Sequence, residues 1–426
     1  MRSGFVALKK RSQVLLFLLA LAVITFLDRI AIASAGPRIQ DELHISAEHW
    51  GWILGAFILS YGLFEVPTGA LGDSLGQRRV LTRIVLWWSV FTSLTGACFG
   101  FYQLLATRFL FGAGEAGAYP NMSGVLARWF PAGERARTQG FIWGASRFGG
   151  ALAPLLVVPL QSAVGWRWTF VIFGAAGVLW SALWWRWYHD SPARQPGIGA
   201  AELDEIARHG APSGHASVPW RRLLGRPQLW LVFWMYWCYA WGSWFYFGWF
   251  PNYLVKGAGF SEAQMGIFAS LPFLLGTAGN LAGGFLSDYL AAKLGLKEGR
   301  RLVGCTSLAS SAALLIAMTM TRNHAAIAAL SSLGFGVADL MLPSAWAICL
   351  DIGGEHASVV TAVMNTAGQF GGFVCSVLFG YVVAATGSYQ IPVWGVAAMV
   401  LIAALLFSRI DPTRKLLEEI PTPETE

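Results

Sequence analysis

The stretch GALGDSLGQRR, from Gly69 to Arg79, decides how this chain is read. Glycines bracket an aspartate, and a pair of arginines follows. An apolar run ends just before the arginines and another begins just after, each near the ~20 residues that a ~30 Å hydrocarbon layer requires. A second version lies 215 residues on, at Gly284-Phe-Leu-Ser-Asp288, and it too leads into a basic turn, Lys293–Arg301. The echo recurs elsewhere. GERA at 133–136 corresponds to GEHA at 354–357, and SRFGG at 146–150 to GQFGG at 368–372, at offsets of 221 and 222. Matching motifs after equivalent spans make the chain a tandem of two like halves. Parallel repeats in a membrane protein predict a substrate site at the repeat interface near the midplane, served by rocking of the halves.

Composition agrees with a membrane setting. The 426 residues are 55% hydrophobic and only 12% charged, against about a quarter charged in soluble domains. Twelve apolar spans are expected, near 14–36, 49–71, 80–99, 103–127, 137–160, 167–187, 228–253, 264–290, 301–321, 324–351, 358–385 and 388–409. With both termini cytoplasmic, cytoplasmic segments hold 23 of the 30 Lys and Arg and outward loops hold four (Arg38, Arg167, Lys256, Arg322), as the positive-inside rule requires. The net charge of +7 thus reflects topology and not a nucleic-acid surface. The N-terminus imitates a secretory signal up to Ala35, but Asp28-Arg29 breaks its apolar run, so it is read as a retained span. The five cysteines all fall in spans without CxxC spacing, which suggests neither disulfides nor a metal site.

The fold class expected is an all-α membrane protein of twelve transmembrane helices in two six-helix, pseudo-symmetric bundles. The first bundle takes residues 1–187, a Pro-, Gly- and charge-rich cytoplasmic linker 188–227 with one short helix near 201–208, the second bundle 228–410, and a cytoplasmic tail 411–426.

Charges inside the spans point to the chemistry, because an ionisable group there ordinarily faces a partner or a hydrated cavity. Arg29, Arg108 and Arg147 lie well within spans, as do Asp28 and Glu115. Arg108 and Glu115 are seven residues apart, two helical turns, and share a face. Asp28 and Arg29 diverge by about 100°, so Arg29 is expected to face a cavity and Asp28 a neighbouring helix. A permanently charged planar fork suits a carboxylate, while a carboxyl side chain can take up a coupling proton. A mid-span Arg147 suggests a second anionic group on the substrate, or else an ion pair with Glu115. Glu65 and Asp339 could pair with Arg147 or titrate. Asn365 and Gln369, one turn apart, offer neutral donors, for substrate or for helix–helix bonds. Trp230, Trp234, Trp237, Trp241 and Trp244 form one stripe, read as lipid contact or packing.

The 69–79 loop resembles the signature of the major facilitator superfamily. LDR at 27–29 with Ala35 and Pro37, Tyr61 before Pro67, RFLFGAGEAGAYP, RWFPAGERAR, GWRWTF, WFPNYL and MNTAGQFGG resemble its anion:cation symporter branch over nearly the whole chain. That branch includes carriers of hexuronates, aldarates and other sugar acids. The resemblance implies a conformational role for Gly69, Asp73, Gly76, Arg78, Arg79 and Asp288. It implies substrate binding by Arg29, Arg108 and Tyr61, and proton coupling by Asp28 and Glu115. Arg147 departs from the family, where a small or neutral polar residue is usual. The function implied is proton-coupled uptake of an organic carboxylate, a sugar acid or dicarboxylate, by a monomer in a bacterial inner membrane, with the proton as coupling ion and no cofactor. The alternative is organic anion exchange without protons. An enzyme is disfavoured by the lack of HExxH, GxSxG and Walker-type motifs.

Overall fold

The computed structural model describes residues 9–207 and 219–417. The expected linker and tail are thus described only in part, and the side chain of Asp73 lies outside the described ones. The chain is helical throughout these residues. In the first half α1 spans Lys10–Glu42, α2 Ala47–Leu75, α3 Gln77–Thr95, α4 Phe101–Glu115, α5 Ala118–Trp129 and α6 Ala132–Trp187. Two short helices follow, α7 Ala200–Ala207 and α8 Trp220–Leu224. The second half has α9 Pro227–Trp244, a three-residue turn α10 Phe250–Asn252 between π-helical turns, α11 Glu262–Phe268, α12 Leu271–Leu294 and α13 Leu296–Thr319. It closes with α14 His324–Asp339, α15 Met341–Gly353, α16 Ala357–Thr386 and α17 Gln390–Phe407.

Eight stretches are long and apolar enough by themselves to cross a bilayer. The other crossings are hidden by local chemistry. The fifth and sixth spans run together in α6, interrupted only at Gly165 with φ 83°. The fourth span is split between α4 and α5 by Ala116 and Gly117, whereas the tenth, although broken between α14 and α15 at Leu340, is one of the eight. Tryptophan and tyrosine crowd α9, and three arginines sit in the first two turns of α3. Counted this way the pieces make twelve crossings in a multi-pass membrane protein.

Two compact units result. The first joins the first half, through α7, to Phe250–Ser270; the second holds residues 219–249 and 271–417. In the first unit α6 packs along α1 and α3, and α2 along α4. Closeness is set by small residues: a methyl at Gly149 of α6 would collide with the backbone of Val23 on α1. Phe250–Ser270 is fastened to the same unit by side chains. Arg38 donates to Glu262 at 2.6 Å and to the Gln161 carbonyl at 3.0 Å, and Gln40 donates to the buried Asn252 at 2.9 Å. In the second unit α9 packs on α16 and α17, α12 on α14, and α13 on α17.

Helix ends follow the capping residues. Ser46 accepts from His49 N–H at α2, and Asn323 from Ala326 N–H at α14. The first helix has no side-chain cap of its own at Lys9. Instead, Glu202 of α7 accepts from the backbone N–H groups of Lys10 (3.1 Å) and Arg11 (2.8 Å), and Glu205 pairs with Lys9 and Arg11. The short helix expected near 201–208 therefore exists and closes the start of α1.

Candidate anion and proton site

The site in the first unit begins with two neighbours on α1. Arg29 and Asp28 point to different elements, as the 100° step demands. Arg29 reaches α4, where both Nε (3.1 Å) and Nη2 donate to Glu115 Oε1. Glu115 is fully buried and Arg29 nearly so. Asp28, also buried, faces α3, whose Trp88 indole and Thr92 hydroxyl act on its carboxyl group.

The Arg29 guanidinium stands in an aromatic box, 4.9 Å from the ring centres of Phe26 and Tyr61 and 5.3 Å from Phe57. Arg108 shares the Phe57 ring at 5.0 Å and lies 4.4 Å from Phe111. Such contacts stabilise a desolvated cation by about 2 kcal/mol. They do not satisfy its donors, however, and the buried Nε of Arg108 has no hydrogen-bond acceptor among the described residues. Tyr61 is buried at this box.

Why Glu115 sits here follows from the backbone. It is the last residue of α4, and the chain turns through Gly117 at φ 85° before α5 begins. A Cβ at Gly117 would strike Thr68, whose hydroxyl oxygen lies 2.5 Å from the Phe64 carbonyl four residues back and 2.7 Å from the Ala116 carbonyl. The break is thus locked onto α2, and the carboxylate is delivered inward at a helix end.

Arg147 is buried on α6, close enough to act electrostatically on Tyr119. Arg29 takes one oxygen of the Glu115 carboxylate, and the other has no hydrogen-bond partner among the described residues. Glu65, one turn beyond Tyr61, is half-buried and acts on the Tyr61 phenol. Tyr119 was missed by sequence reasoning. Its hydroxyl lies 2.7 Å from Ser146 Oγ, and its ring stacks flat on Trp143 at 4.8 Å. Its place in GEAGAYP, two residues past the glycine break, was the available signal.

The second unit carries Asn365 and Gln369 on α16, both half-buried. It also carries fully buried Asp339, the last residue of α14, which accepts from the hydroxyl of Tyr239 on α9 at 3.1 Å. The tryptophan stripe of α9 grades from exposed Trp230 and Trp234 to buried Trp244.

Two of the loop residues, Gly76 and Arg78, meet an acid the sequence did not flag. At Gly76 (φ 84°) the chain turns from α2 into α3, and Arg78 N–H donates to Asp190 at 3.0 Å. Arg128 approaches the same carboxylate at 3.8 Å, while the Arg78 side chain donates to the Trp185 carbonyl. A Cβ at Gly69 would touch Pro120 of α5, and Arg79 is exposed. The second unit repeats the turn at Gly295 (φ 84°), with exposed Asp288 near Asp351, which pairs with Arg300 at 2.8 Å.

Known proteins agree with this architecture. A probable sulfoacetate transporter of Cupriavidus necator is 34% identical over 95% of both chains. A hexuronate transporter of Bacillus subtilis is 29% identical, covering 94% of this chain and 95% of that protein. A probable galactarate/D-glucarate transporter of Escherichia coli K12 is 30% identical, covering 93% and 94%. Among solved structures, a bacterial homologue of the human lysosomal transporter Spinster superposes with a TM-score of 0.76 at 18% identity, over 95% of this chain and 97% of that one. The sequence model of the Major Facilitator Superfamily matches residues 18–376. The chain belongs to the Major Facilitator Superfamily, and is a transporter and not an enzyme.

Proposed function

We propose that this transporter imports a small organic acid with two anionic groups, together with protons, across a bacterial inner membrane, with both termini cytoplasmic. The observation that carries the reading is the Arg29–Glu115 pair beside Arg108, a buried cation whose Nε lacks an acceptor. An incoming carboxylate lies between two forks suited to it. As it takes hydrogen bonds from Arg29, Glu115 loses its cation. A buried carboxylate stripped of its partner is costly, and protonation relieves the cost. Anion binding and proton uptake are thereby coupled through one shared guanidinium. Asp28 supplies a second carboxyl about 100° round α1 from Arg29. Importing a dianion against an inside-negative potential costs about 2.3 kcal/mol per charge per 100 mV, so two protonatable carboxyls suit such a cargo. Arg147 is the group proposed to meet the second anionic end. The relatives named for sulfoacetate and for galactarate or glucarate support a dianion.

The test is uptake by purified protein in proteoliposomes. Glu115→Gln is expected to abolish proton-driven accumulation and keep counterflow exchange. Equal loss of both would assign Glu115 to binding or structure. Accumulation by the wild type that is indifferent to the proton gradient would instead establish anion exchange.

A further inference from the structure

Tyr119 is polarised by its neighbours. The Ser146 hydroxyl lies 2.8 Å from the Ile142 carbonyl four residues back, the usual resting place for the single hydrogen of a helical serine. A serine hydroxyl has one hydrogen to give. The 2.7 Å contact with Tyr119 is therefore made by the phenol, which donates to Ser146 Oγ. With its own hydrogen spent, the Tyr119 oxygen keeps only lone pairs to offer.

Those lone pairs lie among charged groups of the site, since Arg29, Glu115 and Arg147 all act on this phenol. The ring cannot easily turn away. Trp143 stacks on it at 7°, and Phe26 meets it edge-on at 6.3 Å.

We infer that Tyr119 is a specificity-determining residue: a neutral acceptor that reads a hydroxyl hydrogen on the transported acid, so that hydroxy acids are preferred over their deoxy counterparts. This rests on the organic-anion reading above and sharpens it. A sulfonate or carboxylate oxygen has no hydrogen to give Tyr119, whereas an alcohol beside a carboxylate does. A cargo of the hydroxylated kind fills all three groups, two arginine forks and one acceptor.

The experiment compares matched acids by thermal stabilisation of the purified transporter: tartrate against succinate, galactarate against adipate, with sulfoacetate as a dianion lacking hydroxyls. The wild type is expected to bind at least one hydroxy acid roughly three- to tenfold more tightly than its deoxy partner, the range of one net hydrogen bond. Tyr119→Phe should bring that ratio to near one. Ser146→Ala returns the phenol hydrogen to Tyr119 and should shift preference from malate toward oxaloacetate, which a packing role would not do. A ratio unaltered by Tyr119→Phe, or a wild type that prefers succinate, adipate or sulfoacetate, overturns the assignment while leaving the anion site standing. If none of these acids stabilises the wild type, the organic-anion reading falls and this inference with it.

Discussion

The two units use one backbone device and arm it differently. In each, a membrane-crossing helix breaks midway, and the last residue before the break is a fully buried acid, Glu115 in one and Asp339 in the other. In each, a donor from the half's first span reaches that acid. For Glu115 the donor is the fixed cation Arg29, and for Asp339 it is the phenol of Tyr239. The breaks differ too. The first turns through Gly117 at φ 85°, while the second passes through Leu340 at an ordinary helical φ of −58°. Duplication preserved where an acid is presented. It did not preserve the chemistry that holds it, and the transport reading given above depends on the half that carries the cation.

The comparison breaks or sharpens with five variants. Arg29→Met leaves a buried carboxylate without its cation, and should lower unfolding stability by about 3–5 kcal/mol and abolish uptake. Adding Glu115→Gln should recover much of that stability and none of the uptake, separating the pair's structural role from its transport role. Next, Gly117→Ala forces a side chain into a left-handed position against Thr68 and should cost about 2 kcal/mol or more. Leu340→Ala carries no such strain and should cost about 1 kcal/mol. Tyr239→Phe removes one neutral hydrogen bond, and about 1 kcal/mol is expected in thermal unfolding. Equal losses for Arg29→Met and Tyr239→Phe would show that the two acids are held alike.

The smallest effect concerns pH. Asp411 accepts from the Thr413 hydroxyl at 2.6 Å and pairs with Lys297 at 3.0 Å, and with the Thr413 bond as the largest influence its carboxyl is pushed down to about 2. A depressed folded value stabilises the second unit above the ordinary carboxylate range. That contribution is lost as pH falls from about 4 toward 2. Thr413→Val should shift the acid limb of a melting-temperature profile upward in pH and leave its neutral plateau within about 1 kcal/mol.

Much of this was legible in the chain. Repeated motifs gave the halves, and charges in apolar runs marked Asp28, Arg29, Arg108, Glu115 and Arg147 before any coordinates. Helical spacing even separated Asp28 from Arg29. Pairing across helices was not legible, because Arg29 and Glu115 are 86 residues apart and nothing local links them. Tyr119 and Asp190 escaped for the same reason: each matters through neighbours that come from elsewhere in the chain. The break at Leu340 had no glycine at the turn itself to announce it, unlike the one at Gly117.

The clasp on the first helix has a consequence for biosynthesis. Glu202 follows Lys10 by 192 residues. At roughly 5–20 residues per second of synthesis, that interval is about 10–40 s. During it the opening turn of α1 has no carboxylate to receive its N–H groups, and water must serve. The first crossing of this half is therefore among the last of it to be finished, and its completion reports that the five crossings after it have already emerged from the ribosome.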